Sequence, residues 1–149
     1  MKIRDYSASR TLPIMLAVAL GCSSEPEKKP APKKGFLELK IQSPALRVIT
    51  VDPDGSVADI LTPTRAVGKL SPADLKTLQD LASAVEWDKI PAEGFKTADG
   101  KPAAGGRVYD LTYFMRSPAK TVHSMDGADE GSFGKLRDAI EVDANKIGR

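Results

Sequence analysis

The chain has 149 residues, of which 41% are apolar and 28% charged, as expected of one soluble domain with a single hydrophobic core. Its formal charge of +2 comes from the first 21 residues, and removing their Lys2, Arg4, Arg10 and Asp5 leaves 19 basic and 19 acidic side chains. This balance lacks the clustered positive charge that phosphate binding needs, so nucleic acid is not expected as a partner.

Residues 1–21 have the three-part layout of a secretory signal peptide. Basic residues precede an apolar run over residues 12–20, and small residues follow. The run is too short to span a bilayer, which takes about 20 apolar residues. We therefore expect this leader to be removed from the mature protein.

Two cleavage sites are open at the end of this leader. AVA, residues 17–19, fits ordinary signal peptidase and would leave a soluble product beginning at Leu20. ALGC, residues 19–22, resembles instead the lipobox of bacterial lipoproteins, which implies cleavage between Gly21 and Cys22 and acylation of Cys22. We favour the second site because Cys22 is the only cysteine. An unpaired thiol in an oxidising compartment is open to oxidation unless a lipid thioether consumes the sulfur.

Residues 22–35 are expected to form a disordered spacer behind the lipid. SSEPEKKPAPKKG contains no apolar residue larger than Ala or Pro, so it cannot bury enough surface to offset the entropy of ordering. Extended at about 3.1 Å per residue, it would hold a domain roughly 40 Å from its anchor. The lipoprotein resemblance implies a lipid bilayer of the bacterial envelope as partner, with Ser23 typical of sorting to the outer membrane.

The folded body is expected over residues 36–149, as one domain. FLELKIQ, residues 36–42, alternates apolar and polar side chains with the period of a half-buried strand. Residues 46–51 and 56–61 are further strand candidates, and the intervening DPDG predicts a hairpin turn.

A helix is predicted after these strands. Ser71 is suited to cap it, Pro72 to occupy its first turn, and an apolar stripe continues to about Val85. Trp87 and Ile90 follow directly, and we expect them to close the core beneath this helix.

Residues 91–106 are rich in Gly and Pro and predict a long mobile loop. Loops of this length inside a compact domain tend to be functional or disordered, which makes Phe95, Lys96, Asp99 and Lys101 candidate partner-binding residues. Phe95 is its only bulky apolar residue, and a single such side chain can fill a pocket on a partner. The alternative is that Phe95 packs back onto the sheet.

Two more strands and a helix complete the chain. Residues 107–115 and 120–125 predict a second hairpin, and apolar residues at helical spacing predict a helix from about Ser132. Strands and helices do not alternate as in βαβ units. The fold class is therefore α+β: an antiparallel sheet of about five strands in two hairpins, with two amphipathic helices packed on one face.

The residues do not predict an active site. His123 is the only histidine, so a His-rich zinc site or a Cys-His pair is not expected within a monomer. A metal site of His123 with Asp126, Asp129 and Glu130 is a minor alternative. A Ser-His-Asp set could be assembled from His123 and a nearby serine (Ser117, Ser124 or Ser132), but the chain has no G-x-S-x-G motif. We expect no cofactor.

One further pattern covers most of the body: LSPADLKTLQDLASAVEWDKIP, the Gly/Pro-rich loop, YDLTY, KTVHSMD and a closing amphipathic helix. In this order of elements the body resembles emfourin-like proteins, small bacterial inhibitors of thermolysin-type metallopeptidases. It implies a non-catalytic protein that binds a peptidase.

Three classes of function follow from these features. The favoured class is a monomeric, membrane-anchored binding module that presents residues 91–106 to a protein partner, as an inhibitor of thermolysin-like metallopeptidases. The alternative is a structural envelope lipoprotein without inhibitory activity. A hydrolase would need catalytic residues that the sequence does not reveal.

Overall fold

The computed structural model describes residues 35–61 and 63–147. Eight elements follow in chain order: β1 (Leu37–Ile41), β2 (Arg47–Val51), β3 (Ser56–Leu61), β4 (Thr64–Lys69), α1 (Pro72–Ala84), β5 (Val108–Tyr113), β6 (Lys120–Met125) and α2 (Gly131–Ile147). The predicted signal peptide, the predicted cleavage site at Gly21 and Cys22, and the predicted spacer up to Lys34 lie outside the described residues.

The strands form one antiparallel sheet in the order β4-β3-β2-β1-β5-β6. Both predicted hairpins are confirmed, and Gly55 supplies the positive φ of 84° at the turn between β2 and β3. The α+β class is confirmed. The expected strand count of about five is wrong, because the described residues contain six.

β4 was not predicted because its sequence lacks the alternation of a half-buried strand. Its positions toward the helices are Thr64, Ala66 and Gly68, which carry small side chains. A Cβ on Gly68 would lie only 2.2 Å from Cγ2 of Ile147, the last residue of α2. A large apolar residue, which would have revealed the strand, does not fit under this helix end.

The core lies on one face of the sheet. In the central row Leu39 is paired with Ile49 on one side and Leu111 on the other, and all three are fully buried. Leu78 of α1 and Phe133 of α2 belong to the same apolar cluster, so the two helices cover this face. The opposite, open face of the sheet is covered by neither helix of the described part of the chain.

The first helix has the predicted start and end. Ser71 accepts a hydrogen bond from the Asp74 N–H at 3.1 Å, Pro72 is its first residue, and the helix ends at Ala84. Trp87 and Ile90 are buried below it, as expected, and Trp87 Nε1 donates to the Ala82 carbonyl at 2.9 Å. Neither of the described helices combines the length and apolarity needed to cross a membrane.

Candidate functional site

Residues 91–107, between α1 and β5, are attached along the outer edge of β6. The Phe95 N–H donates to the His123 carbonyl at 2.9 Å, and the Ala103 N–H donates to the Asp126 carbonyl at 2.9 Å. Gly94 permits this approach, because its φ is 76° and a Cβ there would lie 1.9 Å from the His123 carbonyl oxygen. The segment is thus bonded at two points, to β6 and to the residue that follows it.

The tip of this loop is a tight polar turn. The Thr97 hydroxyl donates to Asp99 at 2.8 Å, the Lys101 N–H donates to the same carboxylate at 3.2 Å, and Gly100 has a φ of 69°. The bond from Thr97 holds the pKa of Asp99 below its ordinary value. Asp99 is therefore a fixed negative charge, and Lys96 and Lys101 are exposed beside it.

Phe95 does not extend away from the domain. Its ring lies 5.1 Å from the ring of Phe133, measured between centroids, and the side chain is only half-buried. Phe133 in turn contacts Trp87 edge to face at 6.1 Å, and Trp87 stacks on Tyr113 at 4.8 Å. Phe95 thus packs back onto the domain, but its ring contact is with Phe133 of α2 and not with the sheet that the second alternative named. Phe95 is the outermost member of an aromatic row.

The exposed side of Phe95 forms one wall of a cleft. The cleft has a volume of about 260 Å³ and lies between the segment that follows α1 and the start of α2. Its apolar surface and its charged rim come from a set of eleven residues: Val85, Glu86, Lys89, Ile90, Pro91, Phe95, Asp129, Glu130, Gly131, Ser132 and Phe133. This volume is just below the range of about 300–1,000 Å³ that is usual for small-molecule pockets.

Glu130 connects the cleft to a network of charges beneath it. Its carboxylate accepts from Arg137 at 2.7 Å, and the Arg137 guanidinium lies 4.3 Å from the centre of the Tyr109 ring. Burial raises the pKa of Glu130 above its ordinary value, even though the Arg137 charge acts in the opposite direction. The wall of the cleft thus includes a carboxylate whose position is fixed by its ion pair with Arg137 of α2.

Tyr109 is the centre of this network. It is fully buried, and its hydroxyl donates to Asp126 at 2.7 Å. Burial, and to a smaller extent this hydrogen bond, raises the pKa of Tyr109 above its ordinary value. Burial alone would raise the pKa of Asp126. The bonds from the Arg107 N–H and the Tyr109 hydroxyl, with the charges of Arg107 and Arg137, outweigh burial and hold that pKa below its ordinary value.

The network continues across the sheet to β2 and β3. Arg107 donates to Glu141 of α2 at 2.7 Å, and Arg47 of β2 forms a two-pronged pair with Asp59 of β3 at 2.6 and 2.9 Å. Arg47 is also 3.9 Å from Glu141. Glu141 of α2 is thus paired with Arg47 of β2 and with Arg107, the residue at which the loop returns to the sheet.

Sequence reasoning missed this network, although a signal was present. Arg47 and Asp59 occupy positions of β2 and β3 that share a face with buried apolar residues such as Ile49 and Val57. Charges of opposite sign on the apolar face of neighbouring strands indicate a buried pair.

His123 lies on the open face of the sheet. Its Nδ1 is 2.8 Å from Asp110 Oδ1 of β5, the residue paired with it in the register. Asp126 instead bonds Tyr109 on the helix side, and within residues 35–61 and 63–147 no three His, Cys, Asp or Glu side chains are grouped as a metal site would require. Ser124, next to His123 in β6, faces the helices, so these two side chains do not form a catalytic pair.

Comparison of the chain with protein-family models gives no match, and comparison with curated proteins gives none either.

Proposed function

We propose that this protein is a lipid-anchored bacterial envelope lipoprotein whose domain binds another protein without catalysis. The observation that carries the binding role is the cleft in which the apolar side chains of Val85, Ile90, Phe95 and Phe133 lie beside the Glu130 carboxylate and a charged rim. Apolar pockets surrounded by polar groups are the usual receptors of single anchoring side chains in protein interfaces. The anchor is proposed from the sequence around Cys22.

The rim of the cleft favours a protein as its ligand. Glu86 and Lys89 form an exposed ion pair at 2.7 Å on one side, and Asp129 lies on the other. Charges of both signs around an apolar centre fit a peptide surface better than a uniformly charged or wholly apolar molecule. The turn with Lys96, Asp99 and Lys101 follows Phe95 in the chain and offers further polar contacts.

The partner that we propose first is a thermolysin-like metallopeptidase, which is what the resemblance to emfourin-like proteins implies. In that role the domain would inhibit the enzyme as a monomer and contribute no catalytic residue or cofactor. The second candidate is a structural envelope lipoprotein that binds an envelope protein through the same cleft. Both candidates would bind their partner through the cleft, but only the first would inhibit a peptidase.

Inhibition is tested by titrating a thermolysin-like peptidase with the full chain in mild detergent. Loss of peptidase activity at micromolar protein supports the inhibitor, and full activity at that concentration eliminates it. Ser132→Trp would place a large ring at the edge of the cleft, and Gln79→Trp, on the exposed side of α1, is the matched control. We expect Ser132→Trp to weaken inhibition at least tenfold and Gln79→Trp to leave it unchanged. Equal potency of both variants would exclude the cleft as the binding site.

A further inference from the structure

The two edge strands of the sheet, β6 and β4, differ in whether another segment covers their outer backbone groups. The outer edge of β6 is covered by the loop, whose Phe95 N–H bonds the His123 carbonyl. β4, at the other edge, pairs with β3 and with no other strand of residues 35–61 and 63–147. An edge strand with free backbone groups can accept an additional strand from another chain.

Three residues of β4 turn their backbone groups outward. The Leu70 N–H donates to the Gly55 carbonyl at 2.9 Å, and these two residues continue the register in which Lys69 faces Ser56. Antiparallel neighbours alternate between bonded and non-bonded pairs, so every second residue before Leu70 is bonded to β3. The outward N–H and C=O groups therefore belong to Arg65, Val67 and Lys69.

The side chains of these same residues lie on the open face of the sheet. Val67 is 64% exposed and is paired with Ala58, and Ile60, beside Arg65, is 36% exposed. Arg65 and Lys69 are exposed two residues before and after Val67, and neither forms an ion pair with another described side chain. The free edge thus presents the pattern cation, apolar, cation at intervals of two residues.

We propose that β4 binds an extended segment of a partner protein with the pattern acid-x-apolar-x-acid, where the apolar residue is Val or Ile. In an added antiparallel strand, residues opposite Arg65, Val67 and Lys69 form the hydrogen-bonded pairs, and their side chains lie on the same face. Two carboxylates would then face the two cations, and the central Val or Ile would pack beside Val67. This surface is separate from the cleft and goes beyond the function proposed above.

A second copy of this chain does not fit the same edge. A two-fold axis through Val67 would place Arg65 of each copy opposite Lys69 of the other, which gives two pairs of like charges. Directly opposed like charges destabilise strand pairing, and basic residues on an edge strand are a common means of preventing self-association. An acidic strand converts both contacts into attractive pairs.

The test uses the ¹⁵N-labelled full chain in mild detergent and two capped peptides, TETVTET and TKTVTKT. We expect TETVTET to shift the amide signals of Arg65, Val67 and Lys69, to slow their hydrogen exchange, and to bind at least tenfold more tightly than TKTVTKT. Equal binding of the two peptides, or unchanged exchange at these three amides in millimolar TETVTET, would overturn the proposal.

Two variants separate backbone pairing from charge. Val67→Pro removes an outward N–H that is not bonded to β3, so the hairpin of β3 and β4 should persist while TETVTET binding is lost; Val67→Thr should retain binding. The double change Arg65→Glu and Lys69→Glu leaves the backbone intact and should reverse the peptide preference. An unreversed preference, or pairing of β4 with a second copy in the absence of peptide, would refute the acidic occupant.

Discussion

The hydrogen bond between Tyr109 and Asp126 is the most direct point at which to test the charge network. Tyr109 is fully buried, and its hydroxyl donates to the Asp126 carboxylate at 2.7 Å. Tyr109→Phe removes this one bond and keeps the ring on which Arg137 rests at 4.3 Å. The change therefore isolates the bond from the packing of the ring.

The expected loss in the free energy of unfolding depends on the contacts that the Asp126 carboxylate keeps after the substitution. A hydrogen bond to a charged group contributes about 1.5–3 kcal/mol to the free energy of unfolding. Asp126 keeps a bond from the Arg107 N–H at 2.8 Å and is 29% exposed, so water can replace part of the loss. We expect Tyr109→Phe to lower the free energy of unfolding by about 1–2 kcal/mol, which corresponds to about 4–8 °C in Tm for a domain of this size.

The assay is urea unfolding of the full chain in mild detergent, followed by Trp87 fluorescence. Tyr113→Phe is the matched control, because the Tyr113 ring stacks on Trp87 at 4.8 Å and its hydroxyl has no hydrogen-bond partner among the described residues. The control should change the free energy of unfolding by less than about 0.5 kcal/mol. If the two variants are equally stable, the network does not support the fold in the way described.

Two further changes test the loop attachment and the charge on Asp126. Gly94→Ala places a Cβ 1.9 Å from the His123 carbonyl and should cost more than about 2 kcal/mol in thermal or urea unfolding. Gly100→Ala, with a similar φ and open space around it, should cost only about 1 kcal/mol, so equal losses would contradict the attachment to β6. Asp126 has a lower pKa in the folded than in the unfolded chain, so its stabilisation is complete above its ordinary value of 3.8 and is lost as the pH falls below it. The difference in unfolding free energy between wild type and Asp126→Asn should therefore narrow from pH 6 to pH 3, and a constant difference would contradict that direction.

Local patterns predicted the elements that bury an alternating or helical set of apolar residues. The period of two in residues 36–42 indicates a strand, and Ser71 indicates the start of a helix; both elements then bury the apolar side chains that formed the pattern. β4 escaped prediction because contact with the end of α2 requires Gly68 to be small. That requirement comes from a residue 79 positions away, and no local pattern carries it.

The candidate site was predicted in part. Composition located the loop and Phe95, but the row from Phe95 through Phe133 and Trp87 to Tyr113 depends on tertiary packing. The bonds that attach the loop to β6 join backbone atoms, which side-chain chemistry does not reveal. The ion pair between Glu141 and Arg107 was not predicted, because the two residues lie 34 positions apart in the chain.

The proposal of a membrane-held binding module depends first on the acylation of Cys22. Mass spectrometry of the mature protein from its native membranes tests this directly. We predict a chain that begins at Cys22 and carries lipid on that residue. An unmodified Cys22 thiol, or an N-terminus at Leu20, would contradict the anchor and with it the proposed location.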